Sequence, residues 1–208
     1  MQEFETYFFD FDGTLVDSHD SLVKIFQGAY KAVGVDVKED YVLRLMRISL
    51  QQGYEELKAP QDEASIQLFA SEIKRLLKDD EINKLVKNYD DTKQALYILH
   101  SLGKKIAIVT SNNKRHVEEI LNYLDIDKNM FSAIVGNEET KRHKPFADPI
   151  LKGLELTNSK KETSCYVGDG LDDMTSAVAA GVYPILIDRL DEYGDVNHFI
   201  IKTLEELY

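Results

Sequence analysis

The chain has 208 residues, with 25 basic side chains against 37 acidic ones and a formal net charge of −12. At about 150 residues per domain, that length holds one α/β domain or a core with a modest insertion. The acidic balance argues against a general nucleic-acid coat, which needs a basic surface, and 43% hydrophobic residues exclude a disordered chain. In chain order, Thr6-Tyr7-Phe8-Phe9 is a β-branched and aromatic run that stops at Asp10-Phe11-Asp12-Gly13-Thr14, which reads as a buried strand entering a loop. Ser18 reads as a helix N-cap, followed by Leu22, Ile25, Phe26, Ala29 and Val33 at helical spacing, with Gly34 as the stop. From there to about Asp90 only helical patterns occur: Val42, Leu45 and Met46 mark one helix, and Ile66, Phe69, Ile73 and Leu76 a longer one.

After Asp90 the rhythm changes. A helix carrying Ala95, Leu96 and Leu99 stops at Gly103, and the strand Ile106–Val109 follows. Next come a helix with Val117, Ile120, Leu121 and Leu124, a strand near Phe131–Val135, and a helix with Ile150, Leu151 and Leu154. Ser164–Val167 is a strand, an alanine-rich helix ends at Gly181, and Ile185–Ile187 is the last strand. Strands separated by helices imply right-handed crossovers and a parallel sheet. The pattern therefore divides the chain into an α/β core, residues 1–15 and 91–208, and an inserted all-helical domain, residues 16–90.

Open parallel sheets bind ligands at the carboxyl ends of their strands, so the segments after each strand carry the information. They are Asp10–Thr14, Ser111-Asn112-Asn113, Gly136 through Lys144-Pro145, and Gly168-Asp169-Gly170-Leu171-Asp172-Asp173. Asp10 and Asp12, two apart and leaving a strand, can project into one site, where one carboxylate is a competent nucleophile toward phosphorus. The second, its pKa raised by its neighbour and by a bound anion, would serve as general acid and base. Asp169 and Asp173 add two more acids, and four converging carboxylates call for a hard divalent cation such as Mg²⁺. Ser111 can donate to a phosphoryl oxygen and Lys144 can supply positive charge to the transferring group. Together these parts describe phosphoryl transfer.

The segment Asp10-Phe11-Asp12-Gly13-Thr14-Leu15-Val16-Asp17-Ser18 resembles the first motif of the haloacid-dehalogenase-like superfamily, in particular its phosphoglycolate-phosphatase-like branch. Ser111, Lys144-Pro145 with Asp148-Pro149, and Gly168-Asp169 with Asp173 are similar to the second, third and fourth motifs, in the family's order. The resemblance implies a Rossmann-like parallel sheet core flanked by helices, with a helical cap inserted after the first motif. It implies Asp10 as nucleophile and Mg²⁺ ligand, and Asp12 as general acid/base with its backbone carbonyl on the metal. Ser111, the adjacent Asn112 and Lys144 would hold the phosphoryl group, Asp169 would ligate the metal directly, and Asp173 directly or through water. Asp172 stands where relatives often have Asn. In the cap, Met46-Arg47-Ile48-Ser49 lacks the glycine-containing loop of typical relatives.

The activity so implied is a Mg²⁺-dependent phosphatase acting on a small phosphomonoester through an aspartyl phosphate, in the manner of a phosphoglycolate phosphatase. A sugar phosphomutase or a pyrophosphatase would use nearly the same machinery, because the discrimination sits in the cap. Dehalogenase chemistry would leave Asp12 little to do, and a non-catalytic regulatory protein on the same fold would not keep the whole set. Asp-x-Asp-Gly alone also occurs in calcium loops, but here glycine is at the fourth position rather than the sixth, the twelfth is Ser21, and a strand precedes it. Ser111 could simply cap the next helix, and Lys141-Arg142-His143-Lys144 is too small a basic cluster for nucleic acid. Arg44 and Arg47, one helical turn apart, read as a solvated face that could also meet a substrate anion. His19 reads as a surface histidine, and the five histidines show no metal-ligand spacing. Cys165, the single cysteine, falls inside a strand as a core residue and excludes an internal disulfide. The amino terminus lacks a secretory pattern, and apolar runs of about five or six residues cannot span a membrane. The expectation is a cytoplasmic protein, monomer or homodimer, with a small phosphorylated metabolite as its partner.

Overall fold

The computed structural model describes residues 3–45, 50–194 and 196–208. The chain forms two compact units, one of Met1–Asp17 with Asn88–Tyr208 and the other of Ser18–Lys87. Strand β1 (Thr6–Phe9) and the short β2 (Val16–Asp17) come first. The helices α1 (His19–Ala32), α2 (Glu39–Leu45), α3 (Leu50–Glu56), α4 (Glu63–Leu76) and α5 (Asp80–Asn83) follow, and β3 (Lys87–Asn88) ends the excursion. The remainder alternates: α6 (Thr92–Ser101), β4 (Lys105–Val109), α7 (Lys114–Tyr123), β5 (Ala133–Val135), α8 (Asp148–Thr157), β6 (Ser164–Gly168), α9 (Leu171–Ala180), β7 (Tyr183–Ile187) and β8 (Phe199–Ile201).

Six of these strands make one sheet in the order β5-β4-β1-β6-β7-β8, every pairing parallel. This is the parallel α/β sheet that the alternating pattern predicts, in the Rossmann-like form flanked by helices that the resemblance implies. Parallel strands covered on both faces read as continuous apolar runs, and all four residues of β1 and all five of β6 are buried. One core cluster lies between the sheet and helices α8 and α9, with Phe8, Val109, Ile150, Tyr166 and Met174 completely or almost completely withdrawn from solvent. Within this sheet β8 is the strand that the sequence pattern misses, three residues being too few to show a period. It pairs with β7 through Ile185–Phe199, Leu186–Ile200 and Ile187–Ile201. The two-residue strands β2 and β3, which pair in a separate two-stranded sheet, correct the expectation of an all-helical stretch over residues 16–90.

The helical unit has a separate core, in which Phe69 of α4 lies 4.7 Å from the Tyr30 ring of α1 and 5.0 Å from that of Tyr54 on α3. The Tyr54 hydroxyl donates to the Pro60 carbonyl at 2.8 Å, which satisfies the polar end of a buried aromatic. Between Ser18 and Leu85 the described residues form helices and no strand. Ser18 does precede α1, but its hydroxyl makes no cap bond and is buried without a partner among the described residues. The Met46–Ser49 segment, with Arg47, and the Arg44 side chain lie outside the described residues. Among the described residues, no helix is long and apolar enough to cross a membrane.

Gly153 of α8 marks where helix and sheet come closest: a Cβ there would meet Phe8 Cε1 at 2.9 Å and Val109 Cγ2 at 3.1 Å. Gly153→Leu is therefore predicted to destabilise the core by about 1–3 kcal/mol through overpacking. The urea midpoint of the variant, beside that of Lys152→Ala, measures it, and an unchanged midpoint would show that the helix shifts at no cost.

Candidate active site

Because β1 lies between β4 and β6, the segments that follow these three strands emerge side by side at the carboxyl edge of the sheet. Asp10 leaves β1 with its amide donating to the Val167 carbonyl of β6 at 2.9 Å, which extends the sheet by one residue and buries the carboxylate. The chain then turns tightly, with Leu15 and Val16 both donating to the Phe11 carbonyl. Gly13 makes the turn possible. Its φ is 75°, in the left-handed region that glycine enters at little cost, and a Cβ there would fall on the Asp169 carboxylate. Gly168, the last residue of β6, makes equivalent room for the Asp173 carboxylate.

Asp10, Asp169 and Asp173 converge, with a carboxylate oxygen from each lying within 4.8 Å of the others. Lys144 is the cation among them. Its Nζ is 2.8 Å from Asp10 Oδ1, 2.7 Å from Asp173 Oδ1 and 3.2 Å from the Tyr166 hydroxyl. Tyr166 in turn donates to the Val109 carbonyl at 2.7 Å, so its oxygen accepts from the lysine and all three ammonium protons have partners. Asp173 is fixed further by the Gly170 amide, which donates to its Oδ2 at 3.1 Å at the start of α9. Thr14 donates to Asp169 Oδ1 at 3.2 Å.

Charge in this group is unbalanced. Burial pushes the Asp10 carboxyl well above the ordinary carboxylate range; Lys144 opposes the shift, and the charges of Asp173 and Asp169 add to it. Burial and the neighbouring Asp173 raise Asp169 from 3.8 to about 7. Burial alone would lower the Lys144 ammonium, but Asp10 and Asp173 hold it well above its usual value. Two buried acids and the half-buried Asp169 facing one lysine leave a deficit of positive charge, and every donor is a hard oxygen. A divalent cation of the Mg²⁺ class fits both features.

Asp12 stands beside this group, half-buried, with Asn112 Nδ2 donating to its Oδ2 at 3.2 Å. The Asn112 side chain thus orients Asp12. Ser111 is exposed, whereas Thr110, directly after β4, is buried with its hydroxyl accepting from the Asn112 amide at 3.0 Å. Asn113, not Ser111, caps α7 by accepting from the Arg115 amide. Asp172 is exposed on the first turn of α9 and outside the three-acid group. The basic cluster divides: Lys144 enters the site, while Arg142 pairs with Asp148 at 2.9 Å. His19 opens α1 in the helical unit. His116 of α7 feels the charge of Asp12, which partly offsets the lowering of its pKa by burial. Tyr166, Thr14 and Thr110 are the participants that motif spacing does not single out. Strand alternation, which puts Tyr166 and Gly168 on one face of β6, is the signal that finds the first.

The structure thus places three carboxylates and a paired lysine at the carboxyl edge of an open parallel sheet, where α/β proteins bind their ligands. A sequence profile of the haloacid dehalogenase-like hydrolases matches residues 7–187. A protein of Caldanaerobacter subterraneus subsp. tengcongensis, provisionally named pyrophosphatase PpaX, is 30% identical over 180 residues, covering 86% of this chain and 79% of that one. A solved structure from Bacteroides fragilis, provisionally named a haloacid dehalogenase-like hydrolase, superposes with a TM-score of 0.87 at 25% identity, covering 99% of this chain and 100% of that one. Another, from Lactobacillus plantarum and provisionally named phosphoglycolate phosphatase, shares the fold with a TM-score of 0.84 at 18% identity over 99% of this chain and 98% of that one. The chain belongs to the haloacid dehalogenase-like hydrolase family, and it is an enzyme, a hydrolase.

The raised Asp169 carboxyl has a measurable consequence. A carboxyl whose folded pKa exceeds its unfolded value holds its proton more tightly when folded, so its contribution to stability is full below pH 3.8 and is lost as pH rises through about 7. In metal-free protein, Asp169→Asn is predicted to gain stability relative to wild type across that window. Urea midpoints in EDTA at several pH values check it, and a gap independent of pH would refute the desolvated carboxyl.

Proposed function

We propose that the chain is a Mg²⁺-dependent phosphatase that hydrolyses a small phosphomonoester through an aspartyl phosphate on Asp10. The observation that carries this reading is the group at the end of β1: Asp10 lies with Asp169 and Asp173 around a possible cation position, and Lys144 Nζ is 2.8 Å from its Oδ1. Asp10, Asp169 and Asp173, together with the main-chain carbonyl of Asp12, would hold Mg²⁺. When bound, that ion supplies the positive charge that lets an anionic carboxylate approach an anionic phosphoryl group. In this reading the Ser18–Lys87 unit serves as the cap that selects the leaving group.

The chain's own residues divide the work. The Asp10 carboxylate oxygen forms a bond to phosphorus as the ester P–O bond breaks, and protonated Asp12 gives its proton to the departing alkoxide. Asp12, now a carboxylate, takes a proton from water. The resulting nucleophile attacks phosphorus, and the bond to Asp10 breaks to leave inorganic phosphate. Lys144 holds its charge against the transferring oxygens, and in this reading Ser111 would donate to one of them. Asn112 keeps Asp12 turned toward the site, so the proton moves to and from a fixed oxygen.

A second reading has specific support, since the Caldanaerobacter relative at 30% identity is named for pyrophosphate. Inorganic phosphate would then be the leaving group in place of an alcohol, with the same residues in the same roles.

Phosphate release from a panel of small phosphate esters and pyrophosphate, with Mg²⁺ and with EDTA, tests both readings. The expected result is metal-dependent turnover of an ester, reduced at least about 10³-fold in Asp10→Asn, as befits loss of the covalent nucleophile. Turnover of pyrophosphate alone would select the second reading, and full activity in Asp10→Asn would end both.

A further inference from the structure

A second buried ion pair lies away from the three-acid group. Arg189, two residues past β7, grips Asp91 in a bidentate fork, Nη1 to Oδ2 at 3.0 Å and Nη2 to Oδ1 at 3.1 Å. The side chains are only 10% and 8% exposed. The Arg189 guanidinium lies 3.8 Å from the Tyr89 ring centroid. Asp91 occupies the N-cap position of α6, where a carboxylate ordinarily accepts amides of its own helix. It makes no such bond here. Its Oδ2 instead accepts from the Leu204 amide at 2.7 Å. Arg189 Nε is buried with no partner among the described residues.

Such a pair is a poor device for stability alone. Desolvating two charges often costs as much as their attraction returns, and well-packed apolar residues would serve as well or better. What the pair does hold is the catalytic loop. Arg189 Nη2 donates to the Thr14 carbonyl at 2.8 Å, and the Thr92 hydroxyl, next to Asp91, donates to the Leu15 carbonyl at 2.8 Å. Two consecutive carbonyls of the turn after Asp12 are thereby tied to the start of α6. The side chain between those ties and the site is that of Thr14, fully buried, donating to Asp169 Oδ1.

Arg189 is itself well anchored. The preceding residue, Asp188, accepts from the amides of Glu192 and Tyr193 at 2.9 and 3.2 Å and from Lys202 Nζ at 2.9 Å, which fixes the backbone from which the guanidinium extends.

We propose that the Arg189–Asp91 pair is a positioning device for the cation site: it clamps the Thr14 carbonyl so that the Thr14 hydroxyl orients Asp169. The inference rests on the reading of Asp169 as a metal ligand. Arg189 and Asp91 are positioning residues that act through Thr14, at least one hydrogen bond removed from any ligand. Outer partners of metal ligands characteristically govern affinity in this way.

The test uses the full chain and two measurements. In Mg²⁺ titration calorimetry, Arg189→Met, Asp91→Asn and Thr14→Val are each expected to weaken binding by about 10-fold. The double variant Arg189→Met/Thr14→Val should be no weaker than the worse single one, because both act along one route. In metal-free protein, hydrogen exchange should quicken over residues 11–17 in Arg189→Met and Asp91→Asn and stay unchanged in β4 and β6. Asp91→Asn keeps an acceptor for the Leu204 amide and guards against simple unfolding. A lower melting temperature with wild-type Mg²⁺ affinity would overturn the proposal, as would losses that add in the double variant. Failure of the parent reading looks different. Wild type would then take up no Mg²⁺, and the exchange data alone would decide the clamp, unaltered exchange at residues 11–17 overturning it.

Discussion

The constraint from which the rest of this structure follows is electrostatic: three carboxylates, two of them buried and the third half-buried, crowd together at the edge of a sheet with a single ammonium among them. Charges withdrawn from water must be neutralised by partners or by protons. The fold supplies part of the answer and leaves part open. Lys144 is saturated by Asp10, Asp173 and Tyr166, and desolvation, with the neighbouring acids adding to it, raises the carboxyls of Asp10 and Asp169. The glycines have the same origin. Side chains at Gly13 and Gly168 would occupy the space of Asp169 and Asp173, so packing acids this tightly requires backbone without Cβ beside them.

Topology makes the crowding possible. With β1 between β4 and β6, acids from loops more than 150 residues apart, such as Asp10 and Asp169, meet without any long side chain having to reach. The two buried cations then take different parts. Lysine, a compact charge on a flexible stem, sits between Asp10 and Asp173. Arginine, with its planar fork, sits where a fixed two-point grip is wanted.

Much of this was legible in the sequence because the strands are buried on both faces and announce themselves as apolar runs, with the polar residues bunched where each run ends. Asp10, Lys144, Asp169 and Asp173 could be picked out on that ground, and the structure brings them into contact. Individual partners were less legible. Ser111 and Thr110 are adjacent hydroxyl residues, and only the exact end of β4 determines that Thr110 is the buried one. Ser18 has the composition of a cap yet forms no cap bond, while Asn113 does. The Arg189–Asp91 pair joins residues 98 positions apart, and no periodicity encodes such a meeting. Local pattern reports which face is buried, but not who waits on the other side.

Cys165 lies on β6, wholly buried, its thiol held well above the usual value by that burial. It is the chain's only cysteine, one residue from Tyr166 and in register with Tyr7 of β1. A thiol so enclosed is shielded from an alkylating reagent until the strand separates from its neighbours. The rate at which the native protein is alkylated therefore serves as a clock for the opening of the sheet's centre, with no signal from any other thiol in the chain.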